Sequence, residues 1–249
     1  MRGADCTRRI GNEIGRMVGV KILALDTSTE WLSVAVYDGH DASVIRERAG
    51  NSASERILPL TQHVLADAGI TLKSLGGIGY GAGPGSFTGV RITCGVVQGL
   101  ALGADLPVFG VPTLGAIAHA AWRRHGWSRV LACLDARMRE VYVCSYARRG
   151  ERWTRIGDPA ACKPDAVTLA DDDSWHGAGG GFSAYPELAE RLALSNTDAG
   201  IVPDAKAIAE WAWPHLLAGE GLDAAGAQPL YVRHRVALTT VERAAGLRL

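Results

Sequence analysis

Two aspartates at the ends of apolar runs are the residues best suited to chemistry. Asp26 ends the run ILALD and is followed by Thr27, Ser28 and Thr29, and Asp135 ends the run LACLD. A carboxylate beside hydroxyls can hold a metal-bound phosphate, because carboxylates bind Mg²⁺ and hydroxyls donate to phosphate oxygens. The alternative is that Asp26 caps a turn and the hydroxyls satisfy local backbone groups. The tetrapeptide alone favours this alternative, and the second aspartate shifts the balance towards a site.

A glycine run, GAGGG at residues 177–181, precedes a helical pattern and would let the backbone approach a nucleotide closely. The predicted site is nevertheless a weak one for ATP or ADP with Mg²⁺, and its binding could depend on a partner. No glycine lies beside Asp26, and bulky residues follow Asp135. The candidate nucleotide-binding residues are Asp26, Ser28, Thr29, Asp135, Gly179, Gly180 and Gly181.

The segment GAGPGSFTGVRI at residues 81–92 is also rich in glycine, but it lacks the Gly-Lys-Ser/Thr of a Walker loop and fails G-x-G-x-x-G. It is typical of a tight turn before a helix that runs to about Ala104. Gly95, Gly99 and Gly103 recur along that helix every four residues, and each costs roughly 1 kcal/mol relative to alanine. Close packing against a neighbour would have to recover this cost. That neighbour could be the helix predicted after Ser52, a second copy of the chain or another protein.

The elements that position these residues are short strands and amphipathic helices. Strands are predicted at VKILALD, WLSVAVYDG and SVIRERAG, and again at IGYGAG and PVFGVP. Ser52 and Glu55 have capping-box spacing before a helical stripe, in which Pro59 is expected to kink or separate the first turn. Further helices are predicted from Thr113 and at about residues 184–194 and 204–218, the last two closing the second half.

The chain contains an internal repeat. ILALD (22–26) and SVAVY (33–37) recur as LACLD (131–135) and YVCSY (142–146), both displaced by 109 residues. The fold class is therefore α/β, with two duplicated sheet-and-helix domains and Asp26 and Asp135 at equivalent strand ends. The predicted divisions are an N-terminal extension at 1–19, a first domain at 20–112, a second domain at 113–235 with the 113–126 helix near the boundary, and a C-terminal tail at 236–249.

Composition indicates an ordinary globular protein of 249 residues with a formal net charge of zero. Residues 121–163 carry ten Lys/Arg against four Asp/Glu, which favours a solvated face over a nucleic-acid surface. Five cysteines without any Cys-x-x-Cys spacing argue for a reducing, cytoplasmic environment and against disulfides or zinc. No uninterrupted apolar run reaches the roughly 18–20 residues of a membrane span, so no membrane partner is expected.

Several longer segments resemble one family. ILALDTSTE, ERILPL, GAGPGSFTGVRI, QGLALGADLPVFGVPTL, VLACLDARMREVY and PLYVR are similar to the TsaB (YeaZ) family over residues 21 to about 235. The resemblance implies two duplicated ribonuclease-H-like domains, as in the actin-like (ASKHA) ATPases, around a cleft. It also implies a non-catalytic subunit that binds a TsaD-like catalytic subunit, and with it a TsaE-like ATPase. Their joint reaction transfers threonylcarbamoyl to the tRNA adenosine 3′ of the anticodon.

The family resemblance also bears on metal chemistry. The catalytic relative holds a metal through a His-x-x-x-His pair, and Thr113 and Ile117 stand at those positions here. His119 is interpreted as a surface residue, so no metal site and no catalytic residue are predicted. A free-standing actin-fold phosphotransferase using Asp26 and Asp135 is the alternative function.

The expected partners are therefore the TsaD-like and TsaE-like subunits, with a homodimer when the chain is isolated and tRNA contact at most indirect. The predicted partner interface consists of Ile57, Leu60, Val64, Arg91, Gly95, Gly99 and Gly103.

Overall fold

The computed structural model describes residues 19–171 and 173–233. The predicted N-terminal extension, apart from Gly19, and the predicted tail at 236–249 lie outside these residues. The described chain divides into two compact units. Of the described residues, the first unit contains 19–82, Thr88–Val111 and Asp204–Gln228, and the second contains Gly83–Phe87, Pro112–Pro203 and 229–233.

The first sheet has five strands in the order β3-β2-β1-β4-β5. β1 pairs antiparallel with β2 and parallel with β4, and β2 pairs antiparallel with β3. Every residue of β1 is buried, as expected for the central strand of a sheet covered on both faces. The strands are β1 Ile22–Asp26, β2 Trp31–Tyr37, β3 Ala42–Arg48, β4 Gly77–Gly83 and β5 Val108–Pro112.

The second sheet repeats this arrangement. Its order is β10-β9-β6-β7-β8, in which β6 pairs antiparallel with β7 and parallel with β9. Each half therefore contains an antiparallel meander followed by two further strands beside its first strand, so the predicted duplication is confirmed. The strands are β6 Arg129–Arg137, β7 Glu140–Arg149, β8 Arg152–Cys162, β9 His176–Ala178 and β10 Asn196–Asp198.

The helices agree with prediction where the apolar period is strong. The helix predicted at 184–194 is instead two short helices, because Pro186 follows Tyr185 and a residue before proline is disfavoured in helical conformation. The helices are α1 Ala53–Asp67, α2 Phe87–Ala104, α3 Thr113–His125, α4 Gly181–Ala184, α5 Glu187–Arg191 and α6 Ala205–Leu217, with 3₁₀ turns at Gly50–Ser52, Leu72–Ser74, Pro164–Ala166 and Ala224–Gly226.

Helix α6 belongs to the first unit, although it was expected to close the second half. It packs on β1 and β2, where the backbone amide of Ala205 donates to Ser33 Oγ at 3.0 Å. The sheet offers small residues to it: a Cβ on Gly79 would lie 2.8 Å from the Cβ of Ala212. The position of α6 in the chain suggests that it belongs to the second unit. Its assignment to the first unit follows from the contact between its alanines and the glycines of β4.

The start of α1 differs from the sequence prediction. Ser52 makes no side-chain capping bond, because its Oγ donates instead to Ala49 O at 2.8 Å. A 3₁₀ turn at Gly50–Ser52 precedes the helix, which then continues through Pro59 without a break. Pro59 is exposed, so its ring lies on the outer side of a helix whose inner side is held by packing.

The four described cysteines are free thiols, and three of them are buried. Burial raises the pKa of the Cys94 thiol to about 11 and that of Cys133 to about 12, so both stay protonated at neutral pH. They behave as small apolar side chains within their cores.

Candidate functional site

Asp26 lies wholly buried at the end of β1. Its Oδ2 accepts from Ser28 Oγ at 3.0 Å, while its Oδ1 has no hydrogen-bond partner among the described residues. A Cβ on Gly81 would lie 1.9 Å from Oδ1, so only glycine leaves room for this carboxyl. Burial, opposed by the Ser28 hydrogen bonds and aided slightly by the negative charge of Asp204, raises the pKa of Asp26 to about 7.

The hydroxyls that follow Asp26 are all engaged within the chain. Thr27 Oγ1 donates to Gly89 O at 2.7 Å, and Thr29 Oγ1 accepts from the backbone amide of Trp31 at 3.2 Å. Ser28 is buried with its donor directed at Asp26. These hydroxyls therefore point inward or into the local turn. The sequence of the tetrapeptide alone favoured this structural role over phosphate binding.

Asp135 is held by the hairpin that follows it. Its Oδ1 accepts from the backbone amide of Arg137 at 2.9 Å, and its Oδ2 lies 3.2 Å from Arg137 Nη1. Met138 and Arg139 form a two-residue turn in which both have positive φ, as a type I′ hairpin requires. The carboxylate is thus paired with a cation of its own hairpin instead of standing free for a metal ion.

The glycine run packs on its own sheet. A Cβ on Gly179 would lie 2.4 Å from Cys133 O, and one on Gly181 would lie 2.2 Å from Cys133 Sγ. Gly180 alone has open space around it. Two of the three glycines therefore permit close contact with β6, which explains the run without a nucleotide.

Taken together, these groups do not fit a phosphate site. A nucleotide needs free donors for its oxygens and a solvated carboxylate for its metal ion. Here the hydroxyl protons of Thr27 and Ser28 are already donated within the chain. Asp26 is buried, and Asp135 is paired with Arg137. The described geometry offers no route from these residues to phosphoryl transfer.

The metal-binding positions of the catalytic relative are also filled differently. Thr113 and Ile117 are fully buried on α3. His119 was expected at the surface, and that expectation is wrong: its exposed fraction is 7%, and its Nδ1 accepts from Trp153 Nε1 at 3.0 Å. Among residues 19–171 and 173–233, no three His, Cys, Asp or Glu side chains lie close enough to hold a metal ion.

The outer face of α2 is the other candidate site. Gly95, Gly99 and Gly103 are exposed, and a Cβ on any of them would meet no atom of the described residues within 4 Å. Leu102 is 79% exposed. Around the glycines lie Arg91, which is exposed, and the half-exposed apolar side chains of Ile92, Val96 and Leu100. We call the surface formed by Arg91, Ile92, Gly95, Val96, Gly99, Leu100 and Gly103 the glycine face.

The inner side of α2 fills the core of the first unit through Val90, Cys94, Val97 and Ala101. By length and composition alone, α2 is apolar enough to cross a membrane, which the sequence analysis did not anticipate. A core helix of a soluble protein passes the same test, so this criterion is weak. The packing of the inner side leaves the glycine face as the apolar surface that lacks a covering element among the described contacts of α2.

The part of the predicted interface that lies on α1 requires correction. Ile57, Leu60 and Val64 are buried beneath the helix, which packs on β2 and β3. They form the inward stripe of an amphipathic helix and are not available to a partner. The residues that α1 presents outward include Glu55, Leu58, Pro59 and Gln62, and the sequence signal for them is their position opposite the stripe.

The arginines of the middle segment largely serve the fold. Arg148 stacks over Trp122 with its guanidinium carbon 3.7 Å from the ring centroid, and Arg129 pairs with Asp171. The sequence predicts a solvated face, and other arginines of this segment are exposed: Arg123, Arg124, Arg137, Arg139 and Arg149.

Comparison with known proteins now identifies the family. The TsaD family model, described as tRNA N6-adenosine threonylcarbamoyltransferase, matches residues 41–205. The tRNA threonylcarbamoyladenosine biosynthesis protein TsaB of Escherichia coli K12 is 39% identical over 88% of this chain and 96% of its own length, and that of Haemophilus influenzae is 37% identical over the same shares. The solved structure of YeaZ from Pseudomonas aeruginosa, 38% identical, superposes with a TM-score of 0.80 over 85% of this chain and 99% of that one. The chain therefore belongs to the TsaB (YeaZ) family and has its duplicated actin-like, ribonuclease-H-like fold.

Proposed function

We propose that this chain acts in tRNA threonylcarbamoyladenosine biosynthesis as a non-catalytic scaffold, and that its glycine face binds a TsaD-like catalytic subunit. The names of its relatives support the process. The single observation that supports the scaffold role is the glycine face itself. Three glycines weaken α2 by roughly 1 kcal/mol each relative to alanine, and among the described residues nothing lies within 4 Å of the positions that their Cβ atoms would occupy.

A partner would supply that compensation. Small residues at i, i+4 and i+8 let the backbone of another helix approach closely, while Ile92, Val96 and Leu100 beside them lose apolar exposure on contact. When no partner subunit is present, a second copy of the chain would cover the same face as a homodimer. A TsaE-like ATPase would join through the TsaD-like subunit, and tRNA contact would be indirect. The assembly would operate in the cytoplasm, where its tRNA substrate is modified.

The catalytic roles in this proposal lie with the partner. The fit of Asp26 and Asp135 to Mg²⁺ and nucleotide is poor, so weak or partner-dependent nucleotide binding stays a prediction from the sequence. A phosphotransferase is not favoured by any contact described above.

The test is the affinity of this chain for the TsaD-like subunit of the same organism, measured by calorimetry. Gly99→Trp places a bulky side chain in the middle of the glycine face and should weaken binding at least tenfold, because open space around Gly99 lets the fold tolerate it. Glu190→Trp, at an exposed position on α5, is the matched control and should leave affinity within twofold.

Threonylcarbamoyl incorporation into unmodified tRNA by the reconstituted enzymes should fall in parallel for Gly99→Trp and stay unchanged for Glu190→Trp. Full incorporation in the absence of this chain would contradict the scaffold proposal. Undiminished binding by Gly99→Trp would contradict the assignment of the glycine face.

A further inference from the structure

A buried hydroxyl pair joins the end of β1 to the helix that carries the glycine face. Thr27 Oγ1 donates to Gly89 O at 2.7 Å and lies 2.6 Å from Thr93 Oγ1. Thr27 and Thr93 are 1% and 0% exposed. All three residues belong to the first unit, and both bonds span more than sixty positions of the chain.

The direction of the two bonds follows from the number of protons available. A hydroxyl has one proton, and that of Thr27 is directed at Gly89 O. The proton between the two threonines must therefore come from Thr93, which donates to Thr27. Gly89 O also stands at the i−4 position of Thr93, where it accepts the helical amide bond and has a second lone pair for Thr27.

Thr27 Oγ1 is therefore the central atom of the hydrogen-bonded link between β1 and α2. A threonine inside a helix ordinarily directs its hydroxyl at the carbonyl four residues earlier. Thr93 does not, because Thr27 occupies that carbonyl and offers Thr93 an acceptor instead. If the Thr27 hydroxyl were absent, Thr93 could turn to Gly89 O and satisfy itself within its own helix. The bonds between strand and helix would then be lost without leaving a buried donor unpaired.

We infer that Thr27 is a positioning residue, whose hydroxyl holds α2 in the placement that presents the glycine face to its partner. The DTST segment, which in sequence resembles a phosphate-binding turn, is on this view used to fix the docking helix. The inference rests on the proposed function. Close backbone approach across three glycines tolerates little displacement, since dispersion contacts weaken steeply when a gap of 0.5–1 Å opens.

The test uses single substitutions that preserve side-chain shape. Thr27→Val should weaken affinity for the TsaD-like subunit about three- to tenfold, which corresponds to the loss of one or two hydrogen bonds. Thr93→Val leaves the Thr27–Gly89 bond in place and should change affinity less than twofold. Thr27→Ser keeps the hydroxyl and should restore most of the affinity.

Thr61→Val is the matched control for stability. Thr61 is also buried, and its Oγ1 donates to Ile57 O at 2.7 Å, but that bond stays inside α1 and joins no second element. It should lower the thermal midpoint about as much as Thr27→Val while leaving affinity unchanged. Amide exchange should quicken at residues 92–103 in Thr27→Val and not in Thr61→Val.

The outcomes separate the two claims. Wild-type affinity in Thr27→Val, together with unchanged exchange in α2, would overturn the positioning role. Equal loss of affinity in Thr61→Val would also overturn it, because the effect would then be general destabilisation. If the wild-type chain itself does not bind the TsaD-like subunit, the proposed function fails, and the docking role of Thr27 fails with it.

Discussion

At the residue scale, most of the side chains whose types suggest chemistry in the sequence form hydrogen bonds that stabilise the fold. The pattern Asp-Thr-Ser-Thr correctly predicts a strand end, but it cannot reveal burial, which depends on Gly81 and on the start of α6 far along the chain. The same holds for His119 on α3, whose partner Trp153 lies on β8. A local pattern records residue types, whereas the pKa and the availability of a side chain depend on neighbours that are distant in sequence.

The buried carboxyl of Asp26 should make stability fall as pH rises. Its folded pKa of about 7 lies above the ordinary value of 3.8, so between these values the native state holds a proton that the unfolded state has released. The free energy of unfolding should therefore decrease from pH 5 to pH 7, by about 2–3 kcal/mol for this group, and level off above. Asp26→Asn should remove that part of the pH dependence.

The measurement is urea unfolding of both proteins at pH 5, 6, 7 and 8, with the difference between them taken at each pH. Ser28→Ala removes a bond that stabilises the ionised carboxylate, so it should raise the folded pKa of Asp26 and extend the decline to higher pH. A constant difference between wild type and Asp26→Asn across the range would contradict the assignment.

At the scale of the element, α1 and α2 both have an apolar side that packs on the core, but they differ in the residues on their outer sides. On α1 the stripe of Ile57, Leu60 and Val64 faces the sheet. The outer side is polar apart from Leu58, Pro59 and Ala66. On α2 the inner side is equally apolar, but the outer side carries three exposed glycines, with Arg91 as the charged residue of the glycine face. Periodicity locates both helices, yet only the structure tells which apolar side the chain already covers.

The free energy of unfolding should respond oppositely when a glycine in open space and a closely packed glycine are each replaced by alanine. Gly99→Ala adds a methyl group into open space on an exposed helix and should raise the free energy of unfolding by about 0.5–1 kcal/mol. Gly79→Ala, on β4, would bring a methyl group 2.8 Å from the Cβ of Ala212 and should lower it by about 1–3 kcal/mol. Chemical denaturation of the two variants checks both signs. A loss of stability in Gly99→Ala would show that its surroundings are already filled.

At the scale of the whole molecule, the duplication can be predicted from the sequence because two strand pairs recur at one offset. The assignment of α6 to the first unit cannot be predicted in this way, since the helix follows the second sheet in the chain. Its cap is local and typical, with Asp204 Oδ1 accepting from the amide of Ala207 at 2.7 Å, but a cap says nothing about which sheet the helix covers. That information lies in the match between its alanines and the glycines of β4.

A chain that ends at Pro203 should therefore fail to form the first unit. It lacks α6, so the faces of β1 and β2 that contact this helix would lie open to water. A chain that ends at Gln228 retains the helix and is the control. Hydrogen exchange should show protected amides in β1 and β2 of the longer chain and rapid exchange in the shorter one. Equal protection in both would contradict the role of α6.

The return of α6 to the first sheet has a consequence for synthesis on the ribosome. β1 leaves the exit tunnel early, but the helix that covers one of its faces is encoded about 180 residues later. At roughly 5–20 residues per second, on the order of 10–40 s pass between the synthesis of β1 and that of α6. During that interval an apolar sheet face is open to chaperones, so we expect the ribosome-bound chain to be a client of them until its last quarter is translated.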